Sequence, residues 1–140
     1  MFLIDANIFL EVELDQERAD ECATFLQKVK EGVIEALVTD FTVDGIALVI
    51  ERHGRPPADI KNFLEGISVY RGLTVYHVRF AEKLQVPKLM VTHGLGYEDS
   101  IQLQAMLSNQ ITEVVSLDRH FDRVKGIRRL EPAQAAGKVG

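Results

Sequence analysis

The sequence predicts an α/β fold with a central, mostly parallel sheet and helices on both of its faces. Two observations carry that expectation. Short apolar, strand-like runs alternate with segments of helical period along the chain, the pattern of successive βα units. Two of the runs also share a grammar. Phe2-Leu3-Ile4 leads into Asp5, and Val114-Val115-Ser116 leads through Leu117 into Asp118. In open parallel sheets, functional groups collect beyond the carboxyl ends of the strands, near a switch in strand order.

Phe2–Ile4 reads as a short buried strand. From Asp15 to Glu31 a helix is expected, because Ala19, Cys22, Phe25, Leu26 and Val29 recur at spacings of three and four, and Gly32 ends it. Ala36–Val38 is the second strand. Thr39 or Asp40 then caps a helix whose apolar face is Ile46, Val49 and Ile50, closed by Gly54. Pro56-Pro57 opens the next helix, with Ile60, Phe63, Leu64 and Ile67 on one face. Leu73–Val78 is rich in β-branched residues and reads as a strand. Arg79 to His93 has a helical pattern that Pro87 should kink or split. Gly94 and Gly96 make the turn before a helix from Tyr97 to Ser108. Val114–Ser116 is the next strand, and Ile127–Leu130 a short last one. One domain is expected over residues 1–132, with a small, polar, frayed tail at 133–140.

The chain has 140 residues, of which 46% are hydrophobic, enough for one compact domain with its own core. No apolar run approaches the roughly 18 residues of a membrane span, and no signal peptide is expected, since Asp5 interrupts the first apolar stretch. Cys22 is the single cysteine, which excludes an internal disulfide and fits a reducing, cytoplasmic setting. Sixteen basic against 21 acidic residues give a net charge of −5. That argues against a non-specific nucleic-acid binder, which is usually basic. It does not argue against a nuclease whose acids hold a cation. Arg119, Arg123, Lys125, Arg128 and Arg129 cluster behind Asp118, either as a solvated surface or as contacts for phosphates.

A carboxylate at the end of a buried strand is costly unless something neutralises it. Two such acids at two strand ends point to a shared cation site. Asp99 is the third acid of interest, in the first turn of the helix that leads into the strand before Asp118. Its alternative role is to complement the helix dipole. Asn7 lies two residues past Asp5 and reaches the same pocket. Ser116 is two residues before Asp118 on the same strand side, and Asp122 is one helical turn past Asp118. Among the histidines, His53, His77 and His93 have structural readings, and His120, beside Asp118, is the one candidate helper. Cys22 reads as core, and Phe121 as an anchor beneath the sheet edge.

Asp5-Ala6-Asn7 after its strand, Gly94-Leu95-Gly96-Tyr97-Glu98-Asp99-Ser100, and Val115-Ser116-Leu117-Asp118-Arg119-His120-Phe121-Asp122 resemble the three recurring motifs of PIN-domain proteins. These include the toxin ribonucleases of VapBC-type toxin–antitoxin pairs. The similarity runs in order over nearly the whole chain. It implies a three-layer α/β/α sandwich, and cleavage of RNA that depends on Mg²⁺ or Mn²⁺. It further implies that Asp5, Asp99 and Asp118 are the catalytic, metal-holding carboxylates and that Asn7, Ser116 and Asp122 support them. A homodimer and, for toxin members, an antitoxin partner are implied as well. On this reading Arg119 and Arg123 contact RNA phosphates.

One departure stands out. The family places a fourth acid, a glutamate, early in the helix after the second strand, and here Gly45 holds that position. Asp44 is adjacent, but one helical step turns a side chain by about 100°. Asp44 therefore substitutes only with a change of register, and Asp40 is the weaker choice. The gap favours an alternative of another class: a PIN-like fold without turnover, kept as an RNA-binding or scaffolding module. A haloacid-dehalogenase-like phosphatase needs Asp-x-Asp where this chain has Asp5-Ala6-Asn7. A response-regulator receiver needs paired acids at the start and a late lysine, and neither is evident.

Overall fold

The computed structural model describes residues 1–138. Five strands form one sheet: β1 (Phe2–Ile4), β2 (Ala36–Thr39), β3 (Leu73–Tyr76), β4 (Glu113–Val115) and β5 (Arg128–Leu130), in the order β3-β2-β1-β4-β5. Every neighbouring pair is parallel, with Phe2 opposite Ala36 and Ile4 opposite Val115. The chain builds outward from β1 to β3, then returns to the other side of β1 for β4 and β5. The switch in strand order therefore lies between β1 and β4.

Period-2 alternation sorts the side chains into two cores. Phe2, Ile4, Ala36, Val38 and Val115 pack on one face with helices α1 (Ala6–Glu13), α2 (Ala19–Lys30), α3 (Asp40–Arg52) and α4 (Pro57–Ser68). Leu3, Leu37 and Val114 pack on the other, against Leu103 and Met106 of α7 (Tyr97–Ser108) and the anchoring Phe121. Two shorter helices, α5 (Phe80–Lys83) and α6 (Val86–His93), adjoin α7 on that side. The result is the three-layer α/β/α sandwich. No helix among the described residues is long and apolar enough to cross a membrane.

Several elements differ from the sequence expectation. Residues 6–13 form α1, which was not expected. Its apolar run Ile8-Phe9-Leu10 carries no clear period, and the signal lies in Asp5, whose carboxylate accepts from the Ala6 N–H at 2.8 Å as an N-cap. The next helix begins at Ala19 rather than Asp15, because Asp15 sits at φ 50° in the turn between the two helices. Strand β3 stops at Tyr76, since the Val78 N–H leaves the sheet to donate to the Asp40 carboxylate at 3.1 Å. Between α5 and α6 the break falls at Leu84 and Gln85, which puts Pro87 in the first turn of α6, where it costs no hydrogen bond.

The tail expected to fray instead folds as α8 (Pro132–Gly137). Glu131 caps it reciprocally with Gln134, and Arg18 donates to the Glu131 carboxylate at 2.7 Å. Ala135 and Ala136 are buried against α2, and Lys28 donates to the Ala136 carbonyl at 2.9 Å. Small side chains are what allow this close approach, so the composition that read as weak is the reason the helix docks. Val139 and Gly140, the end of the expected tail, lie outside the described residues.

Gly72 marks a second close approach. It accepts from the Ala36 N–H at 2.8 Å and donates to the Val29 carbonyl at 2.9 Å, and a Cβ there would press into the carbonyl oxygen of Ile34. Gly72→Ala should therefore destabilise by about 1–3 kcal/mol in urea unfolding. Gly66→Ala, in open space within α4, should instead stabilise by about 0.5–1 kcal/mol. Equal effects at the two glycines would contradict the assigned packing.

Candidate active site

The parallel register sets the ends of β1 and β4 side by side, and there the backbone delivers Asp5 and Ser116. Asp5 is 5% exposed. One carboxylate oxygen accepts from the Ala6 N–H and, at 3.2 Å, from Gln102 Nε2. The other accepts from Ser116 Oγ at 2.7 Å and Asn7 Nδ2 at 3.4 Å. Burial pushes its pKa up; the hydrogen bonds from Ser116, Ala6 and Gln102 oppose that, and the nearby charge of Asp99 adds to it. Four donors are thus spent on keeping one acid in place.

Asn7 and Ser116 tie the two strand ends together. Asn7 Nδ2 donates to Ser116 Oγ at 3.2 Å, and its Oδ1 accepts from the Leu117 N–H at 3.2 Å. Ser116 Oγ also accepts from the Asp118 N–H at 3.0 Å, which turns the chain so that Asp118 faces the same cavity as Asp5. That cavity has a volume of about 470 Å³. Asp99 enters it from the first turn of α7. His120 stands between the two outer aspartates, with Nδ1 at 2.8 Å from Asp99 Oδ2 and 3.1 Å from Asp118 Oδ2. Its ring is 53% exposed.

The remaining expected residues divide. Arg123 lines the cavity mouth, with Nη1 donating to the Gly94 carbonyl at 2.9 Å, whereas Arg119 is exposed and lies outside it. Asp122 does not meet Asp118. It pairs with Arg129 Nε at 3.0 Å, and Arg129 Nη1 holds the Ser116 carbonyl at 3.0 Å, so Asp122 acts on the site at two removes. Asp44 is exposed on α3 and does not line the cavity. Asp40 is held by the Phe41 and Val78 N–H groups. Gly45 lines an adjoining cleft that shares Ala6, Leu10 and Glu98 with the cavity.

Two contributors went unnoticed in the sequence. Glu98 lines the cavity. Burial, followed by the charges of Asp5, Asp99 and Asp118, pushes its pKa up. Gln102 is fully buried and holds Asp5, and its Oε1 has no hydrogen-bond partner. Both were visible in principle, since Gln102 is one turn from Glu98 and Asp99 on the same helix.

The donor chemistry suits a hard divalent cation. Four carboxylates surround one cavity, and two of them resist ionisation beside the others. Among the described residues no three His, Cys, Asp or Glu side chains converge closely enough to hold an ion as they stand, and the imidazole of His120 occupies the gap between Asp99 and Asp118.

The comparisons agree with the motifs. A family model described as PIN domain matches residues 2–127. No curated protein shows significant sequence similarity to the chain. Among solved structures, the fold resembles VapC20 of Mycobacterium tuberculosis, a sarcin–ricin-loop-cleaving toxin, with a TM-score of 0.71 and 14% identity over 87% of this chain and 93% of that one. A toxin–antitoxin complex from Klebsiella pneumoniae superposes with a TM-score of 0.69 and 14% identity, covering 94% and 98%. FitAcB from Neisseria gonorrhoeae gives 0.69 and 17%, again covering 94% and 98%. At these identities the likeness concerns the fold, while the match of the family model over residues 2–127 concerns the chain itself: it belongs to the PIN-domain family.

Proposed function

We propose that this chain is a metal-dependent endoribonuclease and the toxin of a toxin–antitoxin pair. The observation that carries the reading is the gathering of Asp5, Asp99 and Asp118 around one cavity at the switch point of the sheet. Those three would hold Mg²⁺ or Mn²⁺, and the ion when bound polarises the phosphodiester and lowers the pKa of a water that attacks phosphorus. The chain's own side chains do the rest. Ser116, Asn7 and Gln102 orient Asp5. His120 holds Asp99 and Asp118 near one another and would give up its place between them to a bound cation. Arg123 at the mouth, with Arg119 beyond it, meets the RNA backbone.

Partner and setting follow from the same reading. The similar structures include toxin–antitoxin complexes, which supports an antitoxin as the partner of this chain. A homodimer and a cytoplasmic location are proposed from the family resemblance. A second reading, a PIN fold that binds without cutting, is favoured by Gly45, which leaves α3 without an acid at the cavity.

Asp5→Asn should lower cleavage of a labelled RNA by roughly a hundredfold, and EDTA should reproduce the loss in the wild type. Cleavage insensitive to both would sink the nuclease reading. Stability should move the other way. The folded-state pKa of Asp5 lies above its ordinary value of 3.8, so the folded protein binds more protons than the unfolded chain. The resulting penalty is absent below that value and grows as pH rises through the folded pKa. In EDTA, Asp5→Asn should therefore raise Tm at neutral pH and leave it unchanged near pH 3. A lower Tm at neutral pH would mean that the hydrogen bonds outweigh the buried charge.

A further inference from the structure

We propose that Glu98 is the fourth carboxylate of the cation site, reaching in from α7 to replace the acid that Gly45 leaves out on α3; the proposal rests on the metal-site reading above. Its first support is position. Glu98 lines both the cavity of Asp5, Asp99 and Asp118 and the adjoining cleft walled by Gly45, so it stands where the two meet. The second is space. Nothing lies within 4 Å of where a Cβ on Gly45 would sit, and that side of the site is open to a carboxylate from the opposite wall.

The third support is the company Glu98 keeps. No side chain among the described residues donates to its carboxylate, and Asp5, Asp99 and Asp118 line the same cavity, with the imidazole of His120 between the last two. Glu98 is exposed at the cavity rim, and an ionised carboxylate beside three others is favoured there by a cation that all four share. One turn along the same helix, Gln102 accounts for the orientation. Fully buried and with Oε1 unpartnered, it donates through Nε2 both to Asp5 Oδ1 at 3.2 Å and to the Glu98 backbone carbonyl at 3.4 Å. That pair of bonds fixes the first turn of α7 against Asp5, and Glu98 is carried on that turn. Moving the acid from α3 to α7 keeps the number of carboxylates at four.

The test is calorimetric titration of Mn²⁺ into the chelator-stripped full chain, with circular dichroism to verify folding. Glu98→Gln should weaken binding roughly tenfold or more, and adding Gly45→Glu to that variant should restore most of it, since a Cβ at position 45 meets nothing within 4 Å. Asp5→Asn serves as the control. If Glu98→Gln binds Mn²⁺ like the wild type while Asp5→Asn does not, the assignment of Glu98 is overturned and the metal-site reading stands. Loss in Glu98→Gln without rescue by Gly45→Glu also overturns it, because the effect is then not a replacement for position 45. A wild type that does not bind Mn²⁺ removes both.

Discussion

The hydrogen bond from Ser116 to Asp5 is the interaction on which the site is built. It spans β1 and β4, two strands far apart in sequence that become neighbours only because β4 enters the sheet beside β1. A carboxylate as buried as Asp5 could not be tolerated there without several donors. The donors come from three parts of the fold: Ala6 and Asn7 from the start of α1, Gln102 from α7, and Ser116 from just past β4. Holding one acid therefore fixes three elements relative to one another. Asn7 strengthens the arrangement by bonding to Ser116 and to the Leu117 N–H, so the loop that carries Asp118 cannot drift independently of β1.

Glu82 shows how differently the same fold treats a carboxylate that it intends to leave ionised. Burial alone would push its pKa up, yet donors from Ser108, the Arg79 backbone, Tyr76 and the Arg79 side chain bring it down to about 2. Asp5 has donors too, but they do not overcome its burial and the charge of Asp99. Glu98, exposed at the cavity, has three like charges beside it and no side-chain donor among the described residues. The contrast separates a structural acid whose donors outweigh its burial from cavity acids whose ionised form the chain leaves disfavoured. It also explains why functional sites are where local preferences and global stability disagree.

The sheet was legible in the sequence because its strands are short, apolar and bounded, and because an acid ends each of the two that matter. The capped helices α3, α4 and α7 were legible for a similar reason: Thr39, Pro57 and Gly96 punctuate them at their starts. Helix α1 was not, since its cap is the same Asp5 that reads as a site residue, and a single carboxylate performs both roles. Helix α8 was missed because small residues, taken alone, read as weakness, while their value lies in the close approach of a helix far away in sequence. At the site, the order and spacing of the motifs identified Asp5, Asp99, Asp118, Asn7 and Ser116. The relay from Asp122 through Arg129 to the Ser116 carbonyl was beyond reach, because it depends on β5 lying beside β4. A helical turn after Asp118 was a fair expectation, but the His120–Arg123 segment coils as a 3₁₀ turn and aims Asp122 outward.

The position of His120 gives the site its final constraint. With Nδ1 within hydrogen-bonding distance of both Asp99 and Asp118, it occupies the space between those two carboxylates. Asp5, in contrast, is locked by donors that do not have to move. The site thus has one half built on the sheet and on Gln102, and another at the solvent edge, where the half-exposed ring of His120 separates Asp99 from Asp118. Such a division suits a cation that keeps much of its water. On the proposed reading, the buried carboxylate would supply a fixed reference point, with Asp99 and Asp118 the residues left to adjust at the solvent edge. The cost of preorganisation thereby falls on Asp5, the acid whose burial the donors offset only in part.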